Sequence, residues 1–158
     1  MHPRAEEFTR TARDEYGIDV DVREFPEGTK TAADAAEAVG CSVAQIASGI
    51  VLSTGDGLVV SITSGANRVD MAKIAATVGV DEDDVSMADA DAIKETLGWS
   101  IGGVPPFCHA TEVPVFMDET LAEFEAVWAA AGTPKAVFEI EPETLAELAD
   151  APLIDLNQ

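Results

Sequence analysis

Between Gly98 and Phe107 the chain reads Gly-Trp-Ser-Ile-Gly-Gly-Val-Pro-Pro-Phe, residue types that suit contact between backbone and ligand. Adjacent glycines let a backbone come close to a ligand and adopt positive φ. Pro105 and Pro106 then fix the exit direction and have no N–H to donate. The amides just before them, at Gly102, Gly103 and Val104, are placed to converge on a carbonyl oxygen or an oxyanion. A tight surface turn has the same composition, so the segment alone leaves both readings open.

Other reactive side chains are few. Cys41 and Cys108 give neither a disulfide framework nor a zinc spacing, and His2 and His109 do not complete a tetrahedral set. His109 reads either as an acid or base or as a surface residue at a strand end. Cys108 and His109 are adjacent, so on a strand they would point to opposite faces and form no nucleophile–base pair. Asp118 precedes an apolar periodic stretch and reads first as a helix N-cap. Trp99 is placed either to stack on a base or to fill the core. No catalytic triad is present.

The elements that must position these residues alternate between helix and strand. Arg4 to Tyr16 has helical spacing and stops at Gly17; Asp19 to Phe25 alternates as a strand, and Pro26-Glu27-Gly28 turns the chain. Thr31 to Val39 opens with Thr31 and Asp34 in a capping-box spacing and ends at Gly40. Gln45 to Leu52 and Leu58 to Thr63 form a hairpin across Thr54-Gly55-Asp56-Gly57. A helix starts at Asn67 and ends near Gly79, a short extended piece spans Val85 to Met87, and a further helix runs from Asp89 to Leu97. Val113 to Met117 reads as a strand. Asp118 then caps a helix carrying Leu121, Phe124, Trp128 and Ala131, closed by Gly132 and Pro134. Ala136 to Ile140 is the last strand, and Pro142 takes the first position of the last helix. These elements predict an α/β or α+β fold over residues 1–158, a single domain with a mixed, mostly antiparallel sheet wrapped by helices.

Charge narrows the function classes. The 158 residues include 30 Asp and Glu against 9 Lys and Arg, for a formal net charge of -21. The carboxylates are spread along the chain, with only Asp81-Glu82-Asp83-Asp84 clustered, and no stretch has the spacing of a calcium loop. At about 1 M salt the Debye length is about 3 Å, so such a surface no longer repels itself. The composition therefore points to a salt-rich cytosol, as in a halophilic archaeon. No secretory signal and no run of roughly 18 apolar residues is present, so the expected location is the cytoplasm.

Several segments together resemble one family. Thr31-Ala32-Ala33-Asp34-Ala35-Ala36 with Val39-Gly40 and Val43-Ala44-Gln45-Ile46 is similar to the helix-to-strand entry of the YbaK/EbsC, or prolyl-tRNA deacylase-like, editing domains. Ser61-Ile62-Thr63-Ser64-Gly65 with Val69-Asp70 resembles the family's next strand and helix. Gly98-Trp99 with Gly102-Gly103-Val104-Pro105-Pro106-Phe107 resembles its glycine-proline loop, and Val115-Phe116-Met117-Asp118 the strand and aspartate that follow. The resemblance runs from about Phe25 to Leu148. It implies hydrolysis of the ester between a wrong amino acid and the tRNA 3′ end, without metal or organic cofactor. The implied partner is the aminoacylated acceptor end of tRNA, with neither DNA nor membrane involved.

The resemblance assigns catalysis to the amides of Gly102, Gly103 and Val104 and to the position of Ser48. It assigns substrate contact to Phe25, Thr31, Gly49, Ser64, Trp99, Pro105, Pro106, His109 and Asp118. One departure stands out: best-known members carry a lysine three residues after the position of Gln45, where this chain has Ser48. On an alternating strand Ser48 shares a face with Ile46, Ile50 and Leu52, as a ligand-binding hydroxyl or a small buried residue. Lys30 and Lys73 are surface charges or replacements for the missing ammonium. Two functional readings follow, an editing hydrolase and a non-catalytic module that binds an aminoacylated end or nucleoside. An acidic interaction adaptor is a third and weaker class. In strong salt, phosphate attraction fades, so the RNA end would be read by hydrogen bonds, stacking and shape.

Overall fold

A computed structural model describes residues 2–25 and 31–158; the expected turn at Pro26-Glu27-Gly28 and Lys30 lie outside them. The helices are α1 (Pro3–Tyr16), α2 (Ala32–Val39), α3 (Met71–Val78), α4 (Ala90–Leu97) and α5 (Pro142–Ala149). The strands are β1 (Val22–Glu24), β2 (Ile46–Ser53), β3 (Leu58–Ser64), β4 (Ser86–Met87), β5 (Val115–Asp118), β6 (Val127–Ala130), β7 (Ala136–Ile140) and β8 (Leu153–Ile154). They form one mixed sheet in the order β1-β7-β6-β2-β3-β5-β8, with β4 paired to β2 outside that path. The fold is thus α+β, and the hairpin of β2 and β3 pairs from Ala47↔Ser64 to Ser53↔Leu58.

Caps set the helix starts. The Thr31 hydroxyl accepts from Asp34 N–H at 3.1 Å, and the Asp89 carboxylate accepts from Ala92 N–H at 2.7 Å. The third helix starts later than the sequence predicts, because Asp70 rather than Asn67 caps it. Asn67 instead donates to Asp118 and Thr120.

The expected helix from Asp118 through Ala131 is not formed. Asp118 caps a short 3-10 turn over Glu119–Glu123, and Val127–Ala130 is a strand inserted between β2 and β7. Leu121 and Trp128 are both buried, but Leu121 belongs to the main core and Trp128 packs beside α2. Tertiary pairing overrides the helical spacing here.

The sheet divides the core. On one face, α1, α4 and α5 cover Ala47, Val51, Val60, Ile62 and Phe138. Phe8 lies 5.0 Å from Phe138 and 5.4 Å from Phe107, ring contacts worth about 0.5–1.5 kcal/mol each beyond area burial. On the other face two smaller clusters sit side by side. Helix α2 covers Ile46, Trp128 and Val137, while α3 covers Leu52 and Val59. Ser48 lies on this second face, between the two, as strand alternation predicts. Among the described residues no helix is long and apolar enough to cross a membrane.

Asp118 ties the end of the sheet together. Only 2% exposed, it accepts hydrogen bonds from Ser64 N–H, Asn67 Nδ2, Thr120 N–H and Asn157 Nδ2, all at 2.9–3.0 Å. Burial pushes its carboxyl upward, but the hydrogen bonds from Asn67, Thr120, Ser64 and Asn157 outweigh this and hold it below the ordinary value. A depressed folded value stabilises the protein above the unfolded carboxyl value, and that contribution is lost as pH falls through the folded one. Asp118→Ala should therefore cost at least about 3 kcal/mol at neutral pH, at about 1–3 kcal/mol for each buried donor left unpaired. Urea unfolding at pH 7 and at about pH 2.5 checks this: Asp118→Asn should be destabilised at pH 7 and lose less than the wild type on acidification.

Candidate active site

The backbone of β2 is incompletely paired. Its parallel ladder with β6 ends at Ala47↔Ala129, and its antiparallel ladder with β4 begins only at Leu52↔Met87. Between them Ser48–Val51 are bridged to β3 alone. The Val51 carbonyl points to the open side, where it accepts from Ala88 N–H at 3.1 Å. Strand alternation directs the N–H and C=O of Gly49 to that same side. A cleft of about 300 Å³ opens at this gap.

The glycine-proline loop forms one wall. Trp99 is 5% exposed and donates its indole N–H to the Cys108 carbonyl at 2.9 Å, while Phe107 is buried against Phe8, Tyr16 and Phe138. Anchored at both ends, the loop presents Ile101, Gly102 and Val104 to the cleft. The Val104 carbonyl comes so close to β2 that a Cβ on Gly49 would lie 3.2 Å from it. Gly102 has φ +86°, a conformation that disfavours other residues. Among the described residues, the Gly102 and Val104 amides donate to no protein group.

Five sequence-predicted residues meet in this cleft: Thr31, Ser48, Gly49, Gly102 and Val104. Thr31 uses its hydroxyl to cap α2, whereas the Ser48 hydroxyl has no hydrogen-bond partner among the described residues. Gly103 corrects the expectation of three free amides. Its N–H donates to the Ser100 carbonyl, and a Cβ there would lie 2.6 Å from Thr133 Cα. It is a packing glycine turned away from the cleft.

The remaining predicted residues lie elsewhere. Phe25 packs against the α2 cluster, with its N–H donating to Lys135. Ser64 is buried, donating its hydroxyl to the Ala44 carbonyl at 2.7 Å, and lines an adjoining hollow. Asp118 is fully occupied by protein donors. Trp99 is a core residue with the Arg4 guanidinium 4.2 Å from its ring centre, not an open stacking platform. Pro105 is buried, and its carbonyl accepts from His109 Nε2 at 2.8 Å. Pro106 and His109 line a separate hollow with Tyr16, Glu112 and Asp150. Lys73 cannot supply an ammonium to the cleft, because it donates to Asp155 and the Asn157 carbonyl.

Sequence reasoning missed the rims, Met87 and Ile101, which are 58% and 56% exposed yet line the cleft. An apolar side chain at the tip of a glycine turn was the available signal for Ile101. No signal marked Met87, whose position depends on β4 joining β2.

The chemistry this arrangement permits is limited. No Asp, Glu, His, Cys, Lys or Arg lines the cleft among the described residues. Nor do the described residues include a group of three His, Cys, Asp or Glu able to hold a metal. Burial pushes the Cys108 thiol up to about 12, which keeps it protonated and unreactive. Backbone amides and one hydroxyl remain, enough to polarise a carbonyl and hold a water.

A family model for the aminoacyl-tRNA editing domain matches residues 26–148, and the chain belongs to that family. It is 30% identical over 139 residues to the uncharacterized protein YwhH of Bacillus subtilis (strain 168), covering 87% of each chain. Its structure superimposes with TM-score 0.92 on a candidate trans-editing enzyme for prolyl tRNA synthetase, at 36% identity over 100% of this chain and 99% of that one. A structure from work on computational epitope backbone grafting matches with TM-score 0.90, also at 36% identity, over the same shares of the two chains.

His109 supplies a separate test. Burial lowers its affinity for a proton more than its hydrogen bond to Pro105 raises it, so it titrates below the ordinary 6.5. The unfolded chain then takes up this proton first as pH falls from 6.5, and stability declines through that window. His109→Gln should lose less stability than the wild type between pH 6.5 and 5, read by urea midpoints.

Proposed function

We propose that this chain hydrolyses the ester of mischarged tRNA in trans. The observation that carries the reading is the open edge of β2 at Gly49, in one cleft with the unoccupied amides of Gly102 and Val104, where no described side chain is charged. An aminoacyl ester is already activated, so the site must chiefly orient water and stabilise the oxyanion. The ester carbonyl oxygen sits against the Gly102 and Val104 N–H groups, and the Ser48 hydroxyl holds the attacking water. Water adds to the carbonyl carbon, the bond to the ribose oxygen breaks, and a water proton passes to that oxygen. The products are the free amino acid and tRNA with its terminal hydroxyl restored. A single oxyanion donor contributes about 2.7–4 kcal/mol to such a step.

Likeness to a candidate trans-editing enzyme for prolyl tRNA synthetase supports testing tRNA for proline first. The absence of any ammonium or acid–base side chain from the described cleft favours a second reading, a module that binds the aminoacylated end without cleaving it. Deacylation of this tRNA charged with alanine, serine, cysteine or proline decides between them. We expect turnover of at least one ester, reduced about 100-fold in kcat by Gly102→Ala, which displaces a donor. Ser48→Ala should reduce kcat less, and His109→Gln should leave it unchanged. No turnover by the wild type, with activity gained in Ser48→Lys, would establish the binding module instead.

A further inference from the structure

The cleft does not end at Ser48. A second hollow of about 370 Å³ adjoins it, and Ala32, Ser48, Ile50 and Met87 line both. The two therefore form one groove across the face between α2 and α3, with Ser48 at the waist. Asp and Glu make up 30 of the 158 residues, close to one in five, yet among the described residues none lines either part. By contrast, the separate hollow at His109 is bordered by Glu112 and Asp150. In a chain of net charge -21, a groove whose described lining carries no carboxylate is the place where an anion meets least opposition.

The second hollow also holds the only cation lining the groove among the described residues. Arg68 is exposed on its rim, and among the described residues no carboxylate pairs with its guanidinium. The other polar groups there are already engaged. Asn67 Nδ2 donates to Asp118 and Thr120, the Ser64 N–H to Asp118, and Gln158 Nε2 to the Val69 carbonyl. Among the described residues, the Arg68 fork and the Ser48 hydroxyl have no hydrogen-bond partner and remain to bind a ligand. A guanidinium fork matches phosphate oxygens in geometry and charge.

We propose that this hollow seats the phosphodiester on the 5′ side of the esterified terminal nucleoside, with Arg68 as its cation. The assignment rests on the editing reading above: the ester lies at Gly102, the ribose crosses Ser48, and the RNA backbone leaves past Arg68. A single phosphate contact suits a protein whose overall charge repels the rest of the tRNA.

Binding of adenosine 5′-monophosphate and of adenosine to the 15N-labelled protein, followed by NMR, tests the phosphate seat without requiring turnover. The wild type should bind the phosphorylated nucleoside about tenfold more tightly. Arg68→Gln should remove that preference while leaving adenosine affinity unchanged, and Arg68→Lys should restore part of it. Because Arg68 is exposed and its backbone carbonyl still accepts from Gln158 N–H, these variants should fold. Equal affinity for both ligands in the wild type, no binding of either, or a preference that survives Arg68→Gln would overturn the proposal. A wild type that prefers the phosphate but hydrolyses no ester would support the seat while sinking the editing reading. Hydrolysis without phosphate preference would do the reverse.

Discussion

A strand edge with unpaired peptide groups is costly to bury, at about 1–3 kcal/mol for each polar group left without a partner. Here β2 keeps such an edge at Gly49, because β6 departs after Ala47 and β4 arrives only at Leu52. Several features hold the flanks apart. The Val104 carbonyl stands over Gly49, Trp128 is pinned between Ile46 and the Arg23 guanidinium, and β4 is only two residues long. Water or a ligand must satisfy what the sheet leaves open. The cleft is therefore a consequence of how the sheet is interrupted, and its polar character comes from backbone more than from side chains.

Rigidity around that gap comes from two anchors on opposite sides of the molecule. The aromatic cluster of Phe8, Phe107 and Phe138 fixes the loop from one face. On the other side, Asp118 gathers Ser64, Asn67 and Asn157, so the end of β3, the approach to α3 and the last residues share one carboxylate. Both anchors lie outside the cleft itself.

Much of this was legible in sequence because local signals agreed with the fold. Thr31 announced its helix through capping, Gly98 marked the end of the helix from Asp89 to Leu97, and Thr54-Gly55-Asp56-Gly57 announced the hairpin. The glycine-proline loop stood out by its residue types, which fitted a tight surface turn equally well, and only its place in the order of family-like segments decided between the two. What sequence could not give was direction. Gly103 and Gly102 are adjacent and chemically identical, yet one packs on Thr133 while the other faces the cleft. Trp99 and His109 belong to the right segment but point into the core and a different hollow. The stretch from Leu121 to Ala131 misled for another reason. Its apolar spacing fits a helix, but Val127–Ala130 is a short strand between two neighbours, and pairing with residues far along the chain decides its form.

Met87 and Ile101 border the cleft without belonging to the buried core. Their exposure means that a change of side chain there disturbs little packing, whereas a change at Ile46, Val104 or Trp128 must be accommodated by the interior. The fold thus separates the positions that define its shape from those that border the mouth of the cleft. Exchanging side chains at these two surface positions would reshape the mouth of the cleft while the interrupted sheet beneath it stays as it is.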